Sequence, residues 1–294
     1  MHYTRPPYII GSPSQNGKHS LTVSLTYPDG RIWTKTIYFY SQLNDNYPKP
    51  LWRVFHTKPI VSSPYPQYGM LYVGCYDGKF YAYDARTGAL KWSFSIPGNK
   101  AVHSSPWVDD GIVYFGAGDW KLYALDAFTG EKKWEYTTGG AVLSGPVTDA
   151  NNVYFGSCDY KMYALNKKTG AFQWSYTTGD VIFLNRPLLY NNKLYFGSWD
   201  RYFYALNLDG TLFWKVIPGG VTIKNYAPAV CQPYGADNKI VFVTRTYSGG
   251  TGGDVHILDA NTGDTVVRST TTRAYDSLSG YGNYFYIRTK DATL

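Results

Sequence analysis

Acidic residues, histidines and cysteines are the side chains of this 294-residue chain that are able to do acid–base, nucleophilic or metal chemistry. Glutamate occurs only as Glu131 and Glu135, and the adjacent Asp109 and Asp110 read as a turn between strands rather than a carboxylate pair in a cleft. The histidines lack the spacing of a metal site: they are His2, His19, His56, His103 and His256. The sequence therefore predicts no catalytic residues, no metal site and no enzyme activity.

Cysteine usage gives no sign of a disulfide or metal framework. The three cysteines, Cys75, Cys158 and Cys231, are an odd number without CxxC spacing. We expect free buried thiols in a reducing compartment.

The elements that position these side chains follow from a repeat. Five tryptophans recur at intervals of 40, 42, 40 and 40 residues: Trp52, Trp92, Trp134, Trp174 and Trp214. Between them lie short apolar or alternating runs, such as 111–116 and 121–126, with the length and composition of buried strands. A period of this length made of strands predicts the blades of a β-propeller, and hence an all-β fold.

Turn residues and a tryptophan mark the end of each predicted blade. The Asp-Ala-Phe-Thr-Gly segment at 126–130 closes a turn, because Asp and Thr hydrogen-bond nearby backbone and glycine adopts positive φ. Asp84 and Asp259 hold the same place as Asp126, so we interpret all three as turn caps rather than acid–base groups. Trp134 opens the outer strand, where its ring is expected to cover the junction with a neighbouring blade.

Four copies share one pattern along the chain: YVGCYDGKFYAYDARTGALKW, YFGAGDWKLYALDAFTGEKKW, YFGSCDYKMYALNKKTGAFQW and YFGSWDRYFYALNLDGTLFW. The pattern resembles the pyrroloquinoline-quinone-like (PQQ-like) repeat, GS-x-DG-x-LYALDA-x-TG-x-x-x-W, over residues 60–267. A fifth copy keeps LDANTG but has Val267 in place of tryptophan. The resemblance implies blades of four antiparallel strands, ordered from innermost to outermost around a central channel.

The quinone-dependent dehydrogenases that this repeat also resembles bind pyrroloquinoline quinone and calcium in an eight-bladed barrel. They use an adjacent-cysteine disulfide, a catalytic aspartate and Glu/Asn/Asp metal ligands. This chain has about half that length, no Cys-Cys pair and no glutamate outside 131–135. The resemblance is therefore to the non-enzymatic branch of the family, and we expect no cofactor.

The whole chain, 1–294, is predicted to form a single propeller domain, because its 44% hydrophobic content allows a large core. Residues 60–267 supply five repeats, and residues 270–294 supply the first two strands of a further blade.

The predicted ring closes with the chain's own ends. Residues 1–55 contain a hairpin around Asp29-Gly30 and an outer strand at 50–55, which are expected to complete the last blade and remove exposed sheet edges. We predict six blades, with seven as the alternative if residues 8–40 form a blade of their own.

Net charge and hydropathy limit the classes of partner and the locations that the sequence predicts. The net charge is +7, but the lysines and arginines are scattered among aspartates, which argues against nucleic acid as a partner. Pairs such as Lys132-Lys133 and Lys167-Lys168 are interpreted as solvated turn residues. The sequence shows no signal peptide and no apolar run of spanning length, which predicts no membrane insertion and favours a cytoplasmic or virion location over secretion.

A candidate interaction face emerges where the copies depart from the pattern. The turn between the second and third strands keeps Gly78 in the first copy, but later copies have Trp120, Tyr160 and Arg201, residue types that dominate protein interfaces. Trp199 lies beside Arg201 on the same predicted rim. The alternative is that these aromatic rings fold back on their own blades.

Two further groups of residues complete the candidate site. The corresponding turn of the fifth copy is extended over 245–254, which adds Tyr247 to the same face. His103, Arg186 and Asn225 open innermost strands, so we expect them at the mouth of the channel.

The sequence thus predicts a non-catalytic scaffold that binds protein, as part of a larger assembly such as a virion or envelope complex. The alternative is a carbohydrate-binding or carbohydrate-processing propeller, since exposed Trp and Tyr rings stack on sugars.

Overall fold

The computed structural model describes residues 17–26, 32–41, 52–183, 186–218, 226–228, 233–246, 253–271, 274–281 and 284–289. Within these ranges the regular structure is β-strand, apart from a 3₁₀ turn at Pro97–Asn99 and a 3₁₀ position at Pro218. The described part of the chain contains no helix long and apolar enough to cross a membrane.

Antiparallel sheets follow one another along the chain. A hairpin of β1 (Gly17–Thr26) and β2 (Ile32–Ser41) comes first. The first blade then contains β3 to β6 (Tyr65–Gln67, Met70–Gly74, Lys79–Asp84 and Leu90–Ser95). The second contains β7 to β10 (Trp107–Asp109, Ile112–Gly116, Lys121–Asp126 and Lys132–Thr137). The third contains β11 to β14 (Val147–Thr148, Asn152–Gly156, Lys161–Asn166 and Phe172–Thr177).

The later blades keep the same order of strands. The fourth contains β15 to β18 (Leu188–Tyr190, Lys193–Gly197, Phe203–Asn207 and Leu212–Val216). The fifth contains β19 to β23 (Tyr226–Pro228, Tyr234–Ala236, Lys239–Thr246, Gly253–Asp259 and Thr265–Thr271), with both β19 and β20 paired to β21. A hairpin of β24 (Ala274–Tyr281) and β25 (Tyr284–Thr289) follows. This architecture confirms the predicted all-β propeller with four-stranded antiparallel blades.

The two ends of the chain differ from the sequence expectation. The β1–β2 and β24–β25 hairpins form separate two-stranded sheets, so completion of one blade by both ends, and the count of six blades, stay predictions. Residues 52–56 are not a strand, in contrast to the outer strand predicted at 50–55. Trp52 nevertheless makes the same contact as the tryptophans of the regular outer strands, as described next.

One hydrogen bond recurs at five blade junctions. The indole N–H of each repeat tryptophan donates to a backbone carbonyl in the turn after the third strand of the following blade. The N···O distances are 2.8–3.1 Å for Trp52 to Ala85, Trp92 to Ala127, Trp134 to Lys167, Trp174 to Leu208 and Trp214 to Ala260. The predicted cover of each junction by a tryptophan ring is therefore confirmed, and it includes a directional bond.

A tyrosine reinforces three of these junctions from the second strand. The hydroxyl groups donate to the same carbonyls as the indoles, at 2.9–3.1 Å, in the pairs Tyr72 to Ala127, Tyr114 to Lys167 and Tyr195 to Ala260. Each of these buried carbonyl oxygens accepts two hydrogen bonds, which uses both of its lone pairs. In the third blade Tyr154 donates to Asp149 of its own blade instead, at 2.8 Å.

Glycine in the following turn makes room for the indole. At Gly170 the backbone has φ +73°, and a Cβ there would lie 2.8 Å from Trp134 ring carbons. Gly69 has nearly the same φ, +71°, but a Cβ there would meet nothing within 4 Å. These two glycines share their backbone conformation and differ in the ring that they admit.

We expect Gly170→Ala to destabilise the protein more than Gly69→Ala. Both substitutions force a Cβ into the left-handed region, at about 1–2 kcal/mol, and only Gly170→Ala also overpacks the indole, by a further 1–3 kcal/mol or so. Equilibrium unfolding in urea measures both changes in the free energy of unfolding. Equal losses in the two variants would show that the ring contact adds nothing.

The fifth blade buries a histidine, His256, where the first blade has Tyr81. Its Nε2 lies 3.0 Å from the Thr244 hydroxyl, and its ring stacks on Phe242 with centroids 5.2 Å apart. Burial lowers the pKa of His256 to about 4, so the folded protein keeps this imidazole neutral at pH 7.

Acidification is expected to destabilise the fold through His256. The unfolded chain takes up a proton near pH 6.5 and the folded chain only near pH 4, so stability falls as pH drops between these values, by up to about 3 kcal/mol. His256→Phe should flatten this part of the profile, as measured by urea unfolding at pH 7 and pH 4.5. An unchanged difference between the two pH values would contradict the assignment.

Candidate functional site

The turns between the second and third strands hold one residue of each of the first four blades in the left-handed backbone region. In the first blade this is Gly78, at φ +80°; in the next three blades it is Trp120, Tyr160 and Arg201, at +72°, +73° and +78°. A three-residue hairpin connection requires such a residue before the returning strand, and glycine is the usual one. Three large side chains therefore stand where the backbone costs a non-glycine residue about 1–2 kcal/mol.

We call the side of the propeller formed by these turns, at 75–78, 117–120, 157–160 and 198–201, the aromatic face. Trp120 is 53% exposed and Tyr160 is 46% exposed, while Arg201 is partly buried. About half of the surface of each aromatic residue is thus exposed to solvent, so neither ring is fully packed against its blade.

Aspartates of the same turns make the aromatic face rigid. Asp159 Oδ2 accepts the hydroxyl of Tyr163 at 2.5 Å and the backbone N–H of Gly139, in the loop from the preceding blade, at 2.8 Å. Asp200 does the same with Tyr204 and Gly179, at 2.5 and 2.7 Å. The turns of Tyr160 and Arg201 are therefore tied by their aspartates both to their own third strands and to the preceding blades. In the turn of Trp120, Asp119 accepts only the Tyr123 hydroxyl, and the backbone N–H of Gly118 bonds the preceding loop at the Ala101 carbonyl, at 3.0 Å.

Trp199 lies on the aromatic face but is half-buried. Its ring packs edge-on against Phe183, with centroids 5.4 Å apart, so the tryptophan joins its turn to the loop that enters the fourth blade. Trp199 acts as a support of the face more than as an exposed contact. Tyr247, the remaining residue predicted for this face, lies outside the described residues.

Arg186 links the fourth blade to the second. It enters the fourth blade, and its Nη2 donates to the carbonyls of Ser105 and Pro106 in the second blade, at 3.1 and 2.6 Å. Its guanidinium also lies over the rings of Tyr65 and Trp107, 5.9 and 5.1 Å from their centroids. Burial lowers the pKa of Arg186 to about 10, so it stays cationic at neutral pH.

His103 lies two residues before Ser105, on the stretch that Arg186 contacts. Its ring packs edge-on against Tyr76 at 4.3 Å, and burial lowers its pKa, so it is neutral at pH 7. The structure therefore brings Arg186 and the stretch that follows His103 together, while their place at a channel mouth stays a prediction. Asn225 lies outside the described residues.

The thiols and turn aspartates carry no activated chemistry. Cys75 and Cys158 are free, and burial raises the pKa of both thiols, which keeps them protonated and weakly nucleophilic. Hydrogen bonds from Thr87, followed by one from Lys91, lower the pKa of Asp84 to about 2. This carboxylate caps its turn, as predicted, and stays ionised.

Lys167 is not the solvated turn residue that the sequence suggested. Its side chain is 4% exposed, and its Nζ lies 2.7 Å from Asp109 and 2.8 Å from Asp110 in the preceding blade. Asp109 and Asp110 thus form ion pairs that join the second blade to the third. Lys168, the next residue along the chain, is exposed as expected.

The aromatic face presents the side-chain types of a binding surface. Exposed tryptophan and tyrosine rings with a nearby guanidinium offer apolar area, hydrogen-bond donors and charge, which is the composition of interface hot spots.

Comparisons with known proteins agree with the fold. A family model described as outer membrane protein assembly factor BamB matches residues 40–141 and 97–216. The crystal structure of BamB from Moraxella catarrhalis aligns with a TM-score of 0.50 and 16% identity, over 78% of this chain and 91% of that one. The quinohemoprotein alcohol dehydrogenase ADHIIG from Pseudomonas putida HK5 aligns with a TM-score of 0.55 and 19% identity, over 74% of this chain and 43% of that one. No curated protein matches this chain in sequence.

Glycine at position 120 should give a more stable protein than alanine. Trp120→Gly releases the left-handed strain, whereas Trp120→Ala keeps it, so we expect the glycine variant to exceed the alanine variant by about 1 kcal/mol. Tyr160→Gly and Tyr160→Ala should differ in the same direction. Urea unfolding of the four variants measures this, and an alanine variant that matches or exceeds its glycine partner would refute the strain.

Proposed function

Because the chain belongs to the PQQ-like repeat family of β-propellers, as the family match over residues 40–216 establishes, we propose that it is a non-catalytic scaffold that docks a protein partner on its aromatic face. The partner contacts would centre on Trp120 and Tyr160, with Arg201 at their flank.

The left-handed backbone at these turns is the observation that carries the proposal. Glycine would hold the same turn without strain, as Gly78 does in the first blade. Packing does not explain the large residues, since Trp120 is 53% exposed and Tyr160 46% exposed. Strain that the fold does not need is typical of positions kept for function.

The absence of catalysis in this proposal rests on the residues, because the solved relatives include both an assembly protein and a dehydrogenase. Glu135, one of two glutamates, lies on an outer strand with its carboxylate 2.5 Å from the Nζ of Lys121 and 2.9 Å from that of Lys132. These ion pairs lower its pKa. Arg186 donates to the backbone carbonyls of Ser105 and Pro106 rather than to a carboxylate that could serve as a base.

The description of the matched family, an outer membrane protein assembly factor, favours a protein as the partner and an assembly as its setting. A virion or envelope complex is the setting that we propose. A glycan is the second candidate, supported by the two exposed aromatic rings on one face, which are able to stack on sugars.

Site-specific photocrosslinking tests the docking face. A benzophenone amino acid at position 120 or 160, expressed in the source organism, should give a crosslinked protein that mass spectrometry identifies. The matched control is position 128: Phe128 is 55% exposed, close to Trp120, but lies in the turn after the third strand, on the opposite side of the blade.

With the captured partner purified, affinity is the decisive measurement. We expect Trp120→Gly and Tyr160→Gly to weaken binding by roughly 1–4 kcal/mol each, while Phe128→Ala leaves it unchanged. Crosslinks at position 128 alone, or undiminished affinity of both glycine variants, would place the interface elsewhere. Binding of the wild type to an oligosaccharide array, lost in the glycine variants, would favour the glycan instead.

A further inference from the structure

A histidine, a cysteine and an aspartate meet where the segment before the first blade packs on that blade. Ligand atoms of His56, Cys75 and Asp77 all lie within 4.8 Å of one another, with His56 Nδ1 3.9 Å from Asp77 Oδ2. Cys75 is fully buried, and the side chains of His56 and Asp77 are 8% and 18% exposed. Cys75 and Asp77 belong to the first turn of the aromatic face, at 75–78, which carries none of the contact residues proposed above, Trp120, Tyr160 and Arg201.

The other blades show that the cluster is a departure from the repeat. Four residues after the five repeat tryptophans stand His56, Ile96, Thr138, Thr178 and Pro218. Two residues before each turn aspartate stand Cys75, Ala117, Ser157 and Ser198. These positions meet elsewhere too, since the hydroxyl of Ser157 donates to that of Thr138 at 3.4 Å. Only the first junction replaces hydroxyl or apolar side chains by an imidazole and a thiol.

A third departure at the same junction orients the imidazole. On the third strand, the position after the shared alanine is Tyr83 in the first blade and leucine in the next three. The Tyr83 hydroxyl lies 2.9 Å from His56 Nε2, which leaves Nδ1 facing the cysteine and the aspartate. With a cation on Nδ1, Nε2 carries the ring proton and donates it to Tyr83, which is the usual arrangement around a metal-binding histidine.

Asp77 is held in place by two further bonds. Its Oδ2 accepts the Tyr81 hydroxyl at 2.6 Å, and its Oδ1 accepts the backbone N–H of Lys79 at 3.0 Å. The carboxylate keeps free lone pairs for a cation.

From this geometry we propose that His56, Cys75 and Asp77 bind a divalent zinc-type cation. Thiolate, imidazole and carboxylate together suit Zn²⁺, with metal–ligand distances near 2.0–2.3 Å. The ligands of a tetrahedral ion at those distances lie roughly 3.3–3.8 Å apart, so the longest separation in the cluster needs to contract by about 1.0–1.5 Å. Three protein ligands leave a fourth position for water.

A nucleophilic role for the same cysteine fits the geometry less well. The Cys75 sulfur faces the backbone carbonyls of Lys58 and Pro59, at 3.5 and 3.6 Å, and is closed to any substrate. A metal ion needs only the aspartate side of the cluster to be accessible. Binding of the ion has a structural consequence, because it joins residues 52–59 to the first blade.

Cobalt binding to the full-length, untagged protein tests the proposal. After chelator treatment, one equivalent of Co²⁺ should bind with a thiolate-to-cobalt charge-transfer band, and Zn²⁺ should displace it. Cys75→Ser should abolish the band. His56→Thr should weaken Co²⁺ binding at least 10-fold, and Tyr83→Leu should weaken it roughly 10–100-fold, because it removes the partner that orients the imidazole.

The variants are matched to the chain itself. The residue introduced by Cys75→Ser, His56→Thr and Tyr83→Leu is in each case one that other blades carry at the same position. Circular dichroism checks that each variant folds. Cys158→Ser, which removes a thiol outside the cluster, should bind Co²⁺ like the wild type. Zn²⁺ should also raise the Tm of the wild type and of Cys158→Ser, and leave that of Cys75→Ser unchanged.

Three results would overturn the site: wild-type protein that binds no stoichiometric Co²⁺, a Cys75→Ser variant that binds it undiminished, or loss of the band in Cys158→Ser.

Discussion

The hydrogen bond from each outer-strand indole to a carbonyl of the next blade is the interaction on which the rest of the propeller depends. It explains why the repeat needs both a tryptophan and, about 40 residues later, an Asp/Asn-x-x-Thr-Gly or related turn. The turn presents the carbonyl, and its glycine leaves space for the ring. A buried carbonyl without its donors costs about 1–3 kcal/mol, so neither half of the motif is free to change alone.

Stability that comes from the blade junctions permits strain on the aromatic face. Trp120, Tyr160 and Arg201 each hold a backbone conformation that costs about 1–2 kcal/mol, a burden that a large propeller core can carry. Asp159 and Asp200 hold the turns of Tyr160 and Arg201 by bonding both their own blade and the loop before it. Rigid presentation of exposed rings lowers the entropy lost when a partner binds.

Much of this fold could be predicted from the sequence, because the spacing of the tryptophans and the alternating strands report directly on blades. The strands of the first four blades fall where the repeat placed them, and Trp120 and Tyr160 are exposed on the predicted face. The left-handed backbone conformation of Trp120 and Tyr160 was not predicted, since tryptophan and tyrosine rarely adopt it and so give no sign of it in the sequence. Gly78 at the equivalent position was the available clue.

Two features that the sequence analysis missed share one cause. Lys167 was interpreted as a solvated residue, although other blades have alanine or leucine at its position, which signals burial. The cluster of His56, Cys75 and Asp77 escaped a search for metal-ligand spacing because the histidine comes from a different segment than the other two. In both cases a comparison of equivalent positions between blades, rather than local pattern, contains the signal.

The direction of the tryptophan contact also sets an order of events during synthesis. The carbonyl that accepts each indole N–H lies in the next repeat. A completed blade therefore keeps its tryptophan ring exposed until about 40 more residues leave the ribosome. At 5–20 residues per second this delay lasts roughly 2–8 s. The nascent chain therefore exposes one unpaired indole at a time, on the blade completed most recently. The fifth blade has Val267 in place of tryptophan, so it leaves no indole to be paired by a later blade.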